Sequence, residues 1–225
     1  MMVTTSSSRR TYHLLAALFS TAIFLVLIRL LPSLKSASNP LVILRCIGEA
    51  VAAVAILFAL TRTDRQSLEA FGIRKVRAAT FGWGFLCFLV SAILSALTLL
   101  AFGRFGIAQD KATLTALASR PVPIILLIAA VAGIAEEIIF RSILITELEA
   151  ATKMRWLAAI VSLAIFALAH AGGWGPTQVI FAAVPGLVLT LFFLWKRDLW
   201  ICIIAHFLTD AAGLLSAAAA LAHHG

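Results

Sequence analysis

Apolar residues gather in seven long runs: Leu14 to Leu31, Leu41 to Leu60, Ala78 to Phe102, Val122 to Thr146, Trp156 to Ala171, Gln178 to Trp195 and Leu199 to Ala220. None alternates polar with apolar as a barrel strand does, and each is close to the roughly 20 residues a helix needs to cross a hydrocarbon core. The pattern predicts an all-α, polytopic helical membrane protein with about seven transmembrane helices. The breaks have physical causes. Pro32 with Asn39-Pro40, Pro121 with Pro123, Gly172-Gly173 with Gly175-Pro176, and Lys196-Arg197-Asp198 either end a helix or resist burial in lipid. Between the second and third runs, Ser67 to Arg77 sets Leu68, Phe71 and Ile73 beside Arg74, Lys75 and Arg77, a composition suited to lying flat on a membrane surface. Met1 to Ser8 is rich in Ser and Thr, has nothing to bury, and is expected to be disordered. The first run is longer than the apolar region of a signal sequence, so an uncleaved anchor is expected. The chain then divides into a polar tail over 1–13, three transmembrane helices over 14–120 with an amphipathic segment near 67–77, and a four-helix core over 121–225.

Composition agrees with a lipid solvent. Of 225 residues, 62% are apolar and 12% charged, against about 45–50% and about 25% in globular domains. The excess is more than one buried core uses, and the length leaves no room for an appended soluble domain. The formal charge of +8 would suggest a nucleic-acid partner in a soluble chain, but its placement has another cause. A cytoplasmic N-terminus puts Arg9, Arg10, Arg62, Arg65, Arg74, Lys75, Arg77, Lys153, Arg155, Lys196 and Arg197 on one face, against Lys35, Arg104, Lys111 and Arg120 on the other. That bias predicts the N-terminus inside and the C-terminus outside, and it leaves no basic patch for nucleic acid. All five Trp fall near run ends, as interfacial anchors do. Cys46, Cys87 and Cys202 each lie within an apolar run with no C-x-x-C, which reads as buried thiols rather than a disulfide framework or thiolate metal site. No inverted repeat of the transporter kind is visible.

Ionisable residues at bilayer depth cost about 2.5–3.5 kcal/mol or more, so each is a functional candidate. The last four runs hold nearly all of them: Glu136, Glu137 and Arg141 in the fourth, His170 in the fifth, His206 and Asp210 in the seventh. Glu137 and Arg141 stand four apart with the acid first, the favourable order for a helical ion pair, so Glu137 reads as structural. Glu136 lies about 100° further round the helix and is left free to meet another helix, which makes it the better candidate for chemistry. His206 and Asp210, also four apart, project from one face. At about 1.5 Å per residue from the cytoplasmic end, Glu136, His170, His206 and Asp210 lie about 15, 21, 10 and 16 Å deep, one layer in the middle of the hydrocarbon. Unpaired polar groups persist there only by facing each other or a water-filled cavity. Arg29, Arg45 and Glu49 near run ends are the kind that snorkel or pair, and His13, His223 and His224 lie in flanks where solvated histidine is ordinary.

The sequence E-E-x-x-x-R at Glu136-Glu137 to Arg141, F-x-x-x-H at Phe166 to His170 and H-x-x-x-D at His206 to Asp210 resembles the CPBP intramembrane protease family, which includes CAAX prenyl endopeptidases and bacteriocin-processing or self-immunity proteins. The resemblance covers roughly 121–215. It implies an intramembrane endopeptidase in which Glu136 and His170 activate a water while His206 and Asp210 hold the oxyanion or a metal. A carboxylate in a low-dielectric cavity titrates nearer neutrality, where a general base works best, and the oxyanion needs a donor, which His206 can supply. Asp210 is the departure: an ionised carboxylate only accepts hydrogen bonds. It is either protonated, or orients His206, or joins His170, His206 and Glu136 as a zinc ligand, since two His and a carboxylate form a known catalytic set. The H-E-x-x-H of soluble zinc proteases is absent, so zinc stays open, with a metal-free Glu/His scheme slightly preferred. The expected partners are the lipid bilayer and a membrane-anchored or membrane-associated peptide, in a bacterial cytoplasmic membrane; the sequence does not reveal the oligomeric state. The alternatives are a proton- or metal-coupled transporter and a non-catalytic immunity or scaffold protein.

Overall fold

The computed structural model describes residues 6–63, 66–108 and 111–224, and among them there is no strand. Seven helices are long and apolar enough to cross a membrane. They are α1 (Ser6–Leu30), α2 (Asn39–Thr63), α3 (Ala78–Arg104), a continuous central span over Val122–Thr152, then α7 (Arg155–Trp174), α8 (Thr177–Lys196) and α9 (Leu199–His224). A short α4 (Lys111–Ala118) precedes the central span, which the apolar pattern did not mark. The central span has three parts: α5 (Val122–Glu136), a nine-residue π-helix (Glu137–Ile145) and α6 (Thr146–Thr152).

The central span is the most deeply buried of the seven. Its α5 part packs on α2 and α9, its lower parts lie along α1, α9 also packs on α3, and α7 pairs with α8. Lipid tails are as apolar as leucine, so close packing rather than a hydrophobic drive joins such helices, and small residues mark the closest crossings. Gly133 is one. A Cβ there would stand 3.1 Å from the Phe207 amide nitrogen and 3.3 Å from the Ile203 carbonyl. The crossing brings the end of α5 against the middle of α9. Phe19, Phe58, Phe81, Phe85 and Leu100 face outward, where an exposed apolar side chain in this fold meets hydrocarbon rather than water.

Both ends of the bundle are tied by polar contacts. At the end opposite the α1 N-terminus, Arg120 donates to Asn39 Oδ1 (2.8 Å) and to the carbonyls of Leu34 (2.6 Å) and Ala37 (2.9 Å), pinning the α1–α2 connection. At the other end, residues 67–77 form one 3-10 turn (Leu68–Phe71) followed by extended chain. Phe71 is fully buried; its carbonyl accepts from Ser142 Oγ (2.7 Å), and the Gly72 carbonyl accepts from the Leu199 amide (2.8 Å). Arg74, Lys75, Val76 and Arg77 remain exposed. The tail expected to be disordered is helical from Ser6, while residues 1–5 lie outside the described residues. His13, expected to be solvated, instead has Nδ1 2.7 Å from Oε2 of the buried Glu147, whose other oxygen accepts from Gln66 Nε2 (3.1 Å). A buried carboxylate recruits such partners because leaving it unpaired is costly.

Candidate active site

Glu136 closes α5, and Glu137 to Ile145 follow in the wider π turn, every one of the nine buried. π segments are rare and disturb the regular carbonyl ladder. Here side-chain hydroxyls occupy part of it: Ser162 Oγ on α7 donates to the Phe140 carbonyl at 2.6 Å. The segment also fixes the two adjacent acids on different tasks. Glu137 Oε1 accepts from Arg141 Nη1 at 2.7 Å and faces His206 Nδ1 at 2.8 Å. Arg141 is 1% exposed; it donates its Nη2 to the Gly186 carbonyl (3.2 Å), which also accepts from Thr190 Oγ1, and its guanidinium lies 4.2 Å over the Phe166 ring. The expected Glu137–Arg141 pair therefore forms, and it carries His206 on the same oxygen.

Two imidazoles converge on Glu136. Its Oε2 lies 4.0 Å from His170 Nε2 and 3.9 Å from His206 Nε2, and it is buried with no hydrogen-bond partner. Those distances exceed a direct hydrogen bond but suit one bridging oxygen. His170 Nδ1 sits 2.8 Å from the Phe166 carbonyl, an acceptor only, so Nδ1 carries a proton and it is Nε2 that faces Glu136, as a lone pair in the neutral ring. His206 Nε2 also stands 3.5 Å from Asp210 Oδ2. Asp210 is 37% exposed and Glu136 26%, against 8% for His206 and none for Glu137, so the cluster is open on the Glu136–Asp210 side and sealed behind His206. Phe166 edges both imidazoles, with ring centroids at 4.8 Å to His170 and 6.3 Å to His206.

All six sequence candidates are thus brought to one place from three helices. Two residues set aside in the sequence pair on α2, with Arg45 Nη2 and Glu49 Oε1 2.8 Å apart. The i,i+4 spacing of Arg45 and Glu49 was the available signal. Ser162 and the Gly186 carbonyl carried none, because a lone hydroxyl or backbone oxygen in an apolar run looks like any other. Although the cluster offers zinc-type donors, among the described residues no three His, Cys, Asp or Glu are arranged to hold a metal ion.

Seven apolar helices around a layer of carboxylates and imidazoles define an integral membrane protein with a polar site inside its bundle. Within it, residues 118–212 match the family model described as type II CAAX prenyl endopeptidase, Rce1-like. The matched segment contains all three motifs, bears out the resemblance to the CPBP family, and supports a CAAX-type intramembrane endopeptidase at the level of the family. No significant match is found among curated proteins or among solved structures.

Proposed function

We propose that this protein hydrolyses peptide bonds of membrane-anchored or membrane-associated substrates with a water activated by Glu136 and His170. The carrying observation is the unpartnered Glu136 Oε2, 3.9–4.0 Å from two imidazole nitrogens. A water among them gives one proton to Glu136 and hydrogen-bonds to His170 Nε2 with the other, while its free lone pair attacks the scissile carbonyl. His206 in its doubly protonated form donates Nδ1–H to Glu137 and Nε2–H to the developing oxyanion, with Asp210 holding the ring from the open side. Glu136 then returns its proton to the leaving amine. Glu137 and Arg141 act as positioning residues, because Glu137 touches His206 and not the reacting atoms. No step passes through a metal.

The test is Glu136→Gln in a verified cleavage assay. A missing general base lowers the rate by about 10²- to 10⁴-fold, while expression and thermal stability should stay near wild type because the amide keeps the shape. Full activity in Glu136→Gln would overturn the assignment.

A further inference from the structure

Away from the carboxylates and imidazoles, the ends of α6 and α8 meet around an open cavity of about 410 Å³, lined by Thr146, Glu149, Ala150, Lys153 and Arg197. It lies at the end of the bundle that holds residues 67–77, where Arg74 Nη1 donates to the Lys196 carbonyl at 3.4 Å. The backbone here is unusual. Lys153 (φ 62°) and Arg197 (φ 49°) are the two non-glycine residues with positive φ among the described residues, and both line this cavity. That conformation is costly for a residue with a Cβ, and such strain gathers where the side chain has work. Arg197 forms an ion pair with Glu149, whereas the Lys153 ammonium has no hydrogen bond or ion pair with a described residue.

Two cations against one carboxylate leave the cavity one net positive charge. The negative ends of the two helices do not cancel it, because their last carbonyls are engaged. The Lys153 amide donates to the Glu149 carbonyl (2.9 Å), the Arg197 amide to that of Phe193 (2.8 Å), and Arg155 Nη2 to that of Leu194. Depth decides the source of an anion. Trp156 and Trp195, both exposed, follow Lys153 and precede Arg197 by a few residues, and indoles at span ends sit at the level of the lipid headgroups.

We propose that this cavity binds the headgroup of an anionic phospholipid, a phosphodiester that carries a free hydroxyl. Lys153 and the Arg197 nitrogens turned away from Glu149 hold the phosphate, and the Glu149 oxygen turned away from Arg197 accepts from the hydroxyl. A singly charged phosphodiester matches the single net charge, and basic pockets at headgroup level recognise lipids in this way. The site is independent of the chemistry at Glu136.

The test counts bound lipid. Full-length protein in a neutral detergent is titrated with phosphatidylglycerol, phosphatidylcholine or phosphatidylethanolamine of the same acyl chains, and the first bound lipid is read by native mass spectrometry at fixed ionic strength. Phosphatidylglycerol should bind about tenfold more tightly than either of the others, the size of one charge-assisted contact. Lys153→Gly, which keeps the left-handed turn, and Lys153→Gln, which removes only the charge, should each bring the three lipids to parity. Lys153→Arg should keep the preference, and so should Lys75→Gln, exposed at the same end but outside the cavity. Equal binding of the three lipids by the wild-type chain would overturn the site, as would an equal loss in Lys75→Gln, which would assign the effect to diffuse surface charge. Tighter binding of phosphatidylethanolamine would give Glu149 to its ammonium and overturn it too. Displacement of the lipid by an equal concentration of water-soluble glycerol phosphate would overturn the lipid assignment and give the cavity to a soluble phosphate.

Discussion

Glu137 holds two partners on one oxygen. Oε1 meets both Arg141 and His206 in a fully buried setting, so removing the carboxylate strands a buried guanidinium and unhooks the oxyanion-side imidazole together. Glu137→Ala is expected to destabilise the protein by about 3–5 kcal/mol, the usual outcome of breaking a buried pair from one side, with loss of folded yield and of melting temperature in detergent. This is the opposite of Glu136→Gln, where activity falls and folding does not. Asp210 separates mechanisms. If its charge holds the His206 ring from 3.5 Å, Asp210→Asn keeps the shape but loses the attraction to the imidazolium, and activity should fall by about fivefold, or about 1 kcal/mol. A strong chelator should leave wild-type cleavage unchanged. Activity lost on chelation together with stoichiometric zinc, and restored with it, would replace the water scheme by a metal one.

Helix ends and irregularities set the geometry at the next scale. Lys153 (φ 62°) ends α6 and Arg197 (φ 49°) ends α8, both left-handed, where glycine is the usual choice. Arg197 has compensation in its ion pair with Glu149 and its position over Phe193, whereas Lys153 is exposed. Lys153→Gly should therefore stabilise the fold by about 1 kcal/mol, seen as a raised melting temperature without a change in cleavage. Neither cap was legible in the sequence, because non-glycine residues seldom take this conformation. The π-helix was equally hidden: Glu137 to Ile145 reads as a continuous apolar helix around two charges, and only the structure shows the wider turn, with Ser162 Oγ donating to the Phe140 carbonyl within it. What did show was whatever the bilayer enforces. The seven runs correspond to seven spans because lipid tolerates little else than satisfied helices, and the polar cluster stood out because the surrounding runs hold so few charges. Spacing placed Glu137 with Arg141 correctly, but no spacing rule connects Glu137 on one helix with His206 on another.

Across the whole molecule the ends of the spans fall on two sides, and the basic residues are unevenly shared between them. An odd number of spans, seven here, places the ends of α1 and α9 on opposite faces. The α1 start, the α2–α3 connection with Arg74, Lys75 and Arg77, the α6–α7 turn with Lys153 and Arg155, and the α8–α9 turn with Lys196 and Arg197 then share one face. Lys35, Arg104 and Arg120 lie in the opposite connections, and Arg120 is consumed by its three contacts with the α1–α2 connection. Positive residues in short loops resist translocation, so the face with the larger share should be cytoplasmic. Reporter fusions after Trp195 are expected to read cytoplasmic, and fusions after Ala171 and at the C-terminus external. The functional consequence follows from depth. His206 is seven residues into α9 from the basic face, about 10 Å, whereas His170 is fifteen residues into α7 from that same face, about 22 Å. The site therefore lies in the bilayer interior rather than at either surface, and on the proposed peptidase reading the bonds it reaches belong to peptide that has itself entered the membrane. A cytoplasmic C-terminus would overturn this orientation, because either the N-terminus would lie outside or one of the seven helices would not cross the bilayer.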